Sequence, residues 1–510
     1  MLLLWDLGWL LEILPKVVYF TTTKLMILIL KFLKLKGLGG IRLKVLFAIV
    51  GNLKTFREKK YRLNLEDQHS ELICDSSLQL LSEYYNVDKT VIFLPDTLYT
   101  TCDINKIPSS YDELTKLLAE EYDKKIRKKL KINNFEIVIV PGIGTYKLGD
   151  GNLVFDGEIK DLYNFSLYKL YKLLLEKEFL NGEKVEFIFD ISTGLNYHQS
   201  VISSVLNDLL KLLAYLKDTS LTIVNSEPIT DLKEVLNVYI IDQKKIFPGI
   251  EIQKIKRHKI LEVFPYLSNE EKRYYGLKFM KNLEQIILNK SGNKKIMEFF
   301  NMVLYFLNSL VYGLPLVLLY FNKKLKSNEI IEKSVKFFLE AIEIENNHVF
   351  RKLKFGEFFK YVVFAELFKE YFNNVIDDYN TDKIPFEILE ETSEKVWKVK
   401  EPSSDLNVNA FISLSIKKEL YEIKNSFLEN IGEGQEVVFT KGPNKGTDTQ
   451  KFNNASNKYD KTVNHDPRRN FLAHSGLSSG SFKLKKENDH LYISAIEDKI
   501  KKFLGILLKS

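Results

Sequence analysis

Five short apolar runs, each separated from the next by a stretch of helical spacing, constrain this chain more than any other feature. LKVLFAIV (43–50), TVIFL (90–94), FEIVIV (135–140), VEFIFD (185–190) and SLTIVN (220–225) are continuous and rich in β-branched residues. Continuity rather than alternation marks strands buried on both faces of a parallel sheet. Between them, Leu72–Tyr85, Tyr111–Leu130, Leu162–Leu180 and Tyr197–Leu216 carry apolar residues at helical intervals. Strand–helix–strand repetition predicts a Rossmann-like, doubly wound α/β sheet over residues 42–245, with NVYII (237–241) as a further strand at its edge.

The first four runs end in turns with distinctive chemistry. Gly51-Asn52, Pro95-Asp96-Thr97, Pro141-Gly142-Ile143-Gly144 and Ser192-Thr193-Gly194-Leu195-Asn196 would share the rim at the carboxyl ends of the strands, where open α/β sheets bind ligands. Glycines there let backbone N–H groups approach a phosphate, and Ser192 or Thr193 is placed to cap the next helix. A dinucleotide-binding dehydrogenase fits poorly. The first turn reads G-N-L-K-T-F rather than G-x-G-x-x-G, and no acidic residue lies at the distance needed to hold a ribose.

Residues 246–292 read as a connector, punctuated by Pro248-Gly249 and ending at Ser291-Gly292, with helical spacing over Glu270–Asn289. From 293 to 510 the pattern is that of an all-α bundle. Its first helix, 297–321, is apolar nearly all round and broken near Gly313 and Pro315, as a core or self-association helix would be. Further helices are expected at 329–344, 353–375, 385–398 and 409–430, followed by a polar loop over 432–464. Residues 1–41 are apolar but interrupted by Asp6, Glu12, Lys16 and Lys24, too short between charges to span a bilayer. Two readings of that segment stand: an interfacial helix, or upstream DNA read through to Gly39-Gly40.

Two cysteines cannot build a disulfide framework or a thiolate zinc site, so the chain reads as cytoplasmic, reduced and without structural metal. A net charge of +7 spread over 510 residues says little about partners. The arginines say more: only nine occur, and two stand side by side at 468 and 469. They open N-H-D-P-R-R-N-F-L-A-H-S-G (464–476), in which Asp466 and Pro467 are suited to start a helix. Asn470 and His474 are then i and i+4 on one face, with Arg469 beside them. RNA cleavage without metal needs a base for the ribose 2′-OH, a cation for the phosphorane and an acid for the leaving oxygen. Histidine and arginine supply these near neutral pH. An R-x4-H spacing alone is weak; Asn directly after Arg and Ala before His make it more specific. His465 reads as a loop residue, and His198 as a helix-surface or rim residue.

F-D-I-S-T-G-L-N-Y (189–197), with V-G-N after the first strand and L-P-D-T-L at 94–98, resembles the signature of CARF domains, the Rossmann-like sensors of CRISPR systems. R-N-F-L-A-H (469–474) resembles the HEPN ribonuclease motif. In that order, the two make residues 42–510 resemble the CARF–HEPN ancillary ribonucleases of type III CRISPR systems, the Csx group. The resemblance implies a cyclic oligoadenylate activator, cyclic tetra-adenylate foremost, bound by Gly51, Asn52, Asp96, Thr97, Gly144, Ser192, Thr193, Gly194, Asn196 and Gln199. It implies Arg469, Asn470 and His474 as catalytic residues that cut single-stranded RNA without metal. It further implies a homodimer or larger homo-oligomer with a composite site; apart from the resemblance, no membrane partner is expected, with a sensor attached to a membrane by residues 1–36 as a third reading. The competing expectation is a CARF-bearing regulator or scaffold that binds the messenger without cutting.

Overall fold

The computed structural model describes residues 42–65, 69–104, 106–132, 134–230, 233–252, 293–398, 408–428, 430–439, 471–478 and 480–507. The expectations for 1–41, for the helix at Glu270–Asn289 and for the helix start at Asp466 lie outside them. The first half runs β1 (Arg42–Ile49), β2 (Lys59–Asn64), β3 (His69–Cys74), α1 (Ser77–Tyr85), β4 (Lys89–Pro95), α2 (Tyr111–Leu130), β5 (Phe135–Val140), β6 (Gly144–Leu148) and β7 (Gly151–Phe155). It continues with α3 (Ile159–Leu174), α4 (Lys177–Asn181), β8 (Lys184–Asp190), α5 (Asn196–Leu213), β9 (Asp218–Ser226) and β10 (Val235–Ile246).

The five apolar runs become β1, β4, β5, β8 and β9, neighbours in one parallel block. Their continuous apolar character has its cause in the packing: Val45, Phe47, Ile49, Phe93 and Phe187 are all sealed, and Phe47 meets Phe187 edge-on at 4.7 Å. The sheet has eight strands in the order β3-β2-β10-β9-β8-β1-β4-β5. Two features differ from the sequence reading. β10 is internal, antiparallel to β9 and parallel to β2, rather than an edge. Leu72–Cys74 belongs to β3, because Ser76 accepts from the Leu78 amide and so starts α1 only at Ser77. The hairpins β2–β3 and β6–β7 were not legible, since their charged and polar residues mask the strand period.

The second half contains α6 (Asn293–Tyr312), α7 (Pro315–Lys324), α8 (Asn328–Glu340), β11 (Ile342–Glu345), β12 (His348–Arg351), α9 (Phe359–Val375), β13 (Ile384–Pro385), α10 (Phe386–Val396) and α11 (Val408–Leu428). β14 (Glu436–Val438), β15 (Phe482–Glu487), β16 (His490–Ala495) and α12 (Glu497–Leu507) follow. It is helical as expected but also carries a small antiparallel sheet, β13-β16-β15-β14, which an all-α reading did not include. The apolar 297–321 segment splits into α6 and α7 at Gly313, which takes a φ of +65°. An added Cβ there would lie 2.1 Å from Ile412 Cγ2, so α11 presses directly on the break. Leu310, Leu314 and Val317 are fully buried, which places this segment in the chain's own core. Among the described residues no helix is long and apolar enough to cross a membrane.

The two halves are stitched together. β12 joins β7 in parallel, forming the mixed sheet β11-β12-β7-β6. Tyr371 Oη donates to the Leu174 carbonyl at 2.7 Å, and Tyr168 Oη to Glu332 at 2.8 Å. Asp161, buried at the start of α3, accepts from its own cap residue Glu158 at 3.1 Å and from Phe355 N–H at 3.4 Å. Burial pushes its carboxyl from an ordinary 3.8 up to about 6. The folded state therefore holds this proton more tightly than the unfolded chain, so its contribution to stability declines as pH rises from about 4 to about 6. Thermal melts across that window should show a decline in wild type that is flattened in Asp161→Asn. Parallel curves would remove the assignment.

Candidate functional site

The chain order β1, β4, β5, β8, β9 is threaded into the spatial order β9-β8-β1-β4-β5, so the direction of winding reverses between β1 and β8. That is the topological switch point, where the loops on either side diverge and leave a crevice. Gly51 follows β1 and Gly194 follows β8, and a Cβ on Gly51 would lie 3.5 Å from the Gly194 amide nitrogen. Gly194 takes a φ of +94°, and a Cβ there would meet Ile49 Cγ2 at 2.5 Å. Glycine is therefore required twice over, by backbone conformation and by close approach.

Four strand-end turns are laced to each other. The Thr193 hydroxyl donates to the Ile49 carbonyl, joining the fourth turn to the first. Ile143 N–H donates to Tyr197 Oη at 3.0 Å, joining the third to the start of α5. Gly142 N–H donates to Asp96 Oδ1 at 2.7 Å, joining the third to the second. Beneath them Asp190 is sealed; it accepts from Ser77 Oγ at 2.7 Å and from Ser192 N–H at 2.9 Å. Burial raises its carboxyl above the ordinary range, and the Ser192 and Ser77 bonds pull it back.

Gly51, Asn52, Gly144, Ser192, Thr193, Gly194 and Gln199 are half-buried at this rim, and Asn196 is exposed. The side chains are committed differently from the sequence reading. Ser192 Oγ accepts from Ser226 N–H at 2.8 Å, so neither it nor Thr193 caps α5. Leu195 is the cap residue and offers no side-chain bond, so the start of α5 is capped only by the Leu195 carbonyl, which accepts from His198 N–H at 3.0 Å. Gln199 Nε2 is spent on the carbonyls of Ile191 and Thr193, bracing the turn. Asn52 Oδ1 accepts from Lys54 N–H at 3.0 Å. His198 is fully buried rather than on a helix surface or the rim, and burial drives its imidazole down to about 4, so it is neutral at physiological pH.

Asp96 and Thr97 lie below the rim, at 0% and 3% exposure. Asp96 pairs with Arg351 from β12, accepts from Tyr111 Oη at 2.9 Å, and has both oxygens engaged. Burial raises its carboxyl and the Arg351 guanidinium opposes that rise. Arg351 also donates to the carbonyls of Gly142 at 2.9 Å and Asp156 at 2.7 Å. A residue of the second half therefore holds the floor of the first half's rim. Sequence reasoning missed it, because nothing in H-V-F-R-K marks Arg351 as buried.

In the second half His474 is described, whereas Arg469 and Asn470 lie outside the described residues. Phe471 is sealed and stacks on Phe503 at 4.9 Å, which anchors the segment. His474 follows in a turn, with Ser475 and Gly476 at φ values of +50° and +76°. Its Nδ1 lies 2.8 Å from Glu419 Oε1, and its side chain is 24% exposed against 8% for Glu419. The imidazole is thus gripped on one nitrogen and remains about a quarter exposed. Among the described residues no group of three or more His, Cys, Asp or Glu side chains is placed to hold a metal ion.

The first half is thus a mixed α/β sheet with a glycine-lined switch point, tied to a mostly helical second half that bears a carboxylate-held histidine. Residues 45–228 match the family described as "CRISPR system endoribonuclease Csx1, CARF domain". The chain is also 29% identical, over 381 residues, to the CRISPR system endoribonuclease Csx1 of Methanocaldococcus jannaschii, covering 73% of this chain and 75% of that one. Enterococcus italicus Csm6 bound to cyclic hexa-2′-fluoro-hexa-dAMP shares 13% identity, covering 75% of this chain and 86% of that one, at a TM-score of 0.21, too low to carry an argument. Residues 45–228 are thus similar to the CARF domain of the Csx1 kind, and the chain as a whole is similar to a CARF-containing ancillary ribonuclease of CRISPR systems.

Proposed function

We propose that this chain is a cytoplasmic endoribonuclease that cuts single-stranded RNA when a cyclic oligoadenylate, cyclic tetra-adenylate foremost, binds the rim around Gly51, Gly194 and Asn196. In this reading 42–245 senses the nucleotide, 246–292 connects and 293–510 cuts. The observation that carries it is His474: an imidazole held by Glu419, a quarter exposed, at the end of a sequence, R-N-F-L-A-H, that resembles a ribonuclease motif. The similarity to a relative named as an endoribonuclease supports the same reading. The imidazole takes the proton of a ribose 2′-OH as O2′ bonds to phosphorus. The P–O5′ bond breaks and O5′ receives a proton, leaving a 2′,3′-cyclic phosphate and a 5′-hydroxyl. Arg469 would offset the charge of the phosphorane, and Asn470 would orient phosphate or imidazole, so the step asks for no metal.

The N-terminus of α5, which no side chain caps, suits the phosphates of an anionic ring. Self-association is supported by Phe411, Leu414 and Tyr421, 61%, 65% and 69% exposed at helical spacing along α11, the helix that also carries Glu419. The test is an RNA cleavage assay in EDTA, with and without a panel of cyclic oligoadenylates. Asn196→Ala should raise the activator concentration needed for half-maximal cleavage about 10-fold, as loss of a hydrogen bond to a charged phosphate group does, with the melting temperature unchanged. Cleavage indifferent to every ring, or abolished by EDTA, would refute the corresponding part.

A further inference from the structure

We infer that Glu419 is a positioning residue for this reaction: it holds the His474 imidazole with its hydrogen on Nδ1, so that Nε2 is the nitrogen that exchanges protons with RNA. The inference rests on the ribonuclease reading above and adds the residue that orients its base. A carboxylate is an acceptor, so the 2.8 Å contact is the one Nδ1 makes as donor, which leaves Nε2 without the hydrogen. Glu419 is buried and so has little freedom to swing away.

The rest of the seat serves the same end. Ser415 and Glu419 are i and i+4 on α11 and face one way. The Ser415 hydroxyl lies 3.3 Å from Ser475 Oγ and 3.5 Å from the Ala473 carbonyl, so the residues on either side of His474 are tied to the helix that grips its ring. Behind α11, Ile412 and Ile416 close on the Gly313 break, and an added Cβ on Gly476 would lie 3.4 Å from Leu314. The turn is therefore pressed between α11 and the α6–α7 junction, and the imidazole has one orientation in which Nδ1 is satisfied. Fixing the tautomer matters because a base presenting N–H to the 2′-OH cannot accept its proton.

The test uses full-length protein labelled with 15N-histidine, with His474→Ala identifying the His474 ring signals. Long-range 1H–15N spectra of wild type should show a protonated Nδ1 and an unprotonated Nε2. Glu419→Ala should move those signals toward the mixture of tautomers seen for a free imidazole. In the same variant kcat for RNA should fall on the order of 10²-fold, as for a misplaced catalytic group, with KM little changed, and Glu419→Gln should recover much of the loss. Gln is nearly isosteric, so it keeps the test usable if Glu419→Ala fails to fold. A wild-type ring protonated on Nε2, or Glu419→Ala leaving the ring signals unchanged, would overturn the inference. If His474→Ala cuts RNA as wild type does, the ribonuclease reading itself falls, whatever the spectra show.

Discussion

His474→Ala is expected to lower kcat for RNA cleavage about 10³-fold, the usual consequence of removing a general acid–base group, while binding of a cyclic oligoadenylate at the rim is retained. The separation follows from the fold. His474 is seated by Glu419, Ser415 and the α6–α7 junction, all in the second half, whereas the rim is built from turns after β1, β5 and β8. Phe471 and Leu477, which anchor the turn, are sealed and unaffected by trimming a ring that is 24% exposed. The variant should therefore melt as wild type does. Full cleavage by a folded variant would mean that the second half acts as a scaffold rather than a nuclease.

The second large effect concerns stability. Arg351→Met should destabilise the folded chain by about 3–5 kcal/mol, because it strands a buried carboxylate without its counter-charge. Both partners of the Arg351–Asp96 pair are at 0% side-chain exposure, and the guanidinium also holds two carbonyls. The sign with pH can be worked out. Burial already places the Asp96 carboxyl above its ordinary value, and Arg351 is the largest opposing influence. Its loss lifts the carboxyl further, so the folded variant gains a proton more readily than the unfolded chain does. The deficit should accordingly shrink as pH falls. Asp96→Asn combined with Arg351→Met should recover part of the loss at neutral pH. Denaturant titrations of the three variants check this, and a single-variant cost below about 1 kcal/mol would contradict a buried pair broken on one side.

Much of the first half was legible because its signal is local. VEFIFD is nearly continuous in apolar residues because its strand is covered on both sides, whereas the equally apolar FEIVIV became the edge strand β5, with Phe135, Ile137 and Ile139 half-buried. The turns could be placed on one rim by strand direction alone. The hairpins β2–β3 and β6–β7 escaped notice because KKYRLN and GTYKL mix charge and apolar groups in short segments that read equally well as loop. NVYII looked like an edge because five residues gave no hint of the partners on either side of β10.

In the site the division falls elsewhere. R-N-F-L-A-H singled out His474 as a candidate, since that motif is written in consecutive residues. Glu419 sits 55 residues away in K-K-E-L-Y-E, where a glutamate on a lysine-rich helix reads as a solvated face. Asp96 looked like a ligand contact because loop aspartates at strand ends usually face the crevice; its partner lies 255 residues on, and their pairing turned a rim residue into a floor. Composition and periodicity along the chain thus determined the strand runs, the glycine-rich turns and the motif histidine, each a matter of neighbouring residues. Which carboxylate meets which cation, and which nitrogen of a histidine is left open, was decided only by folding, because desolvation and hydrogen-bond geometry depend on what the rest of the chain brings within 3 Å.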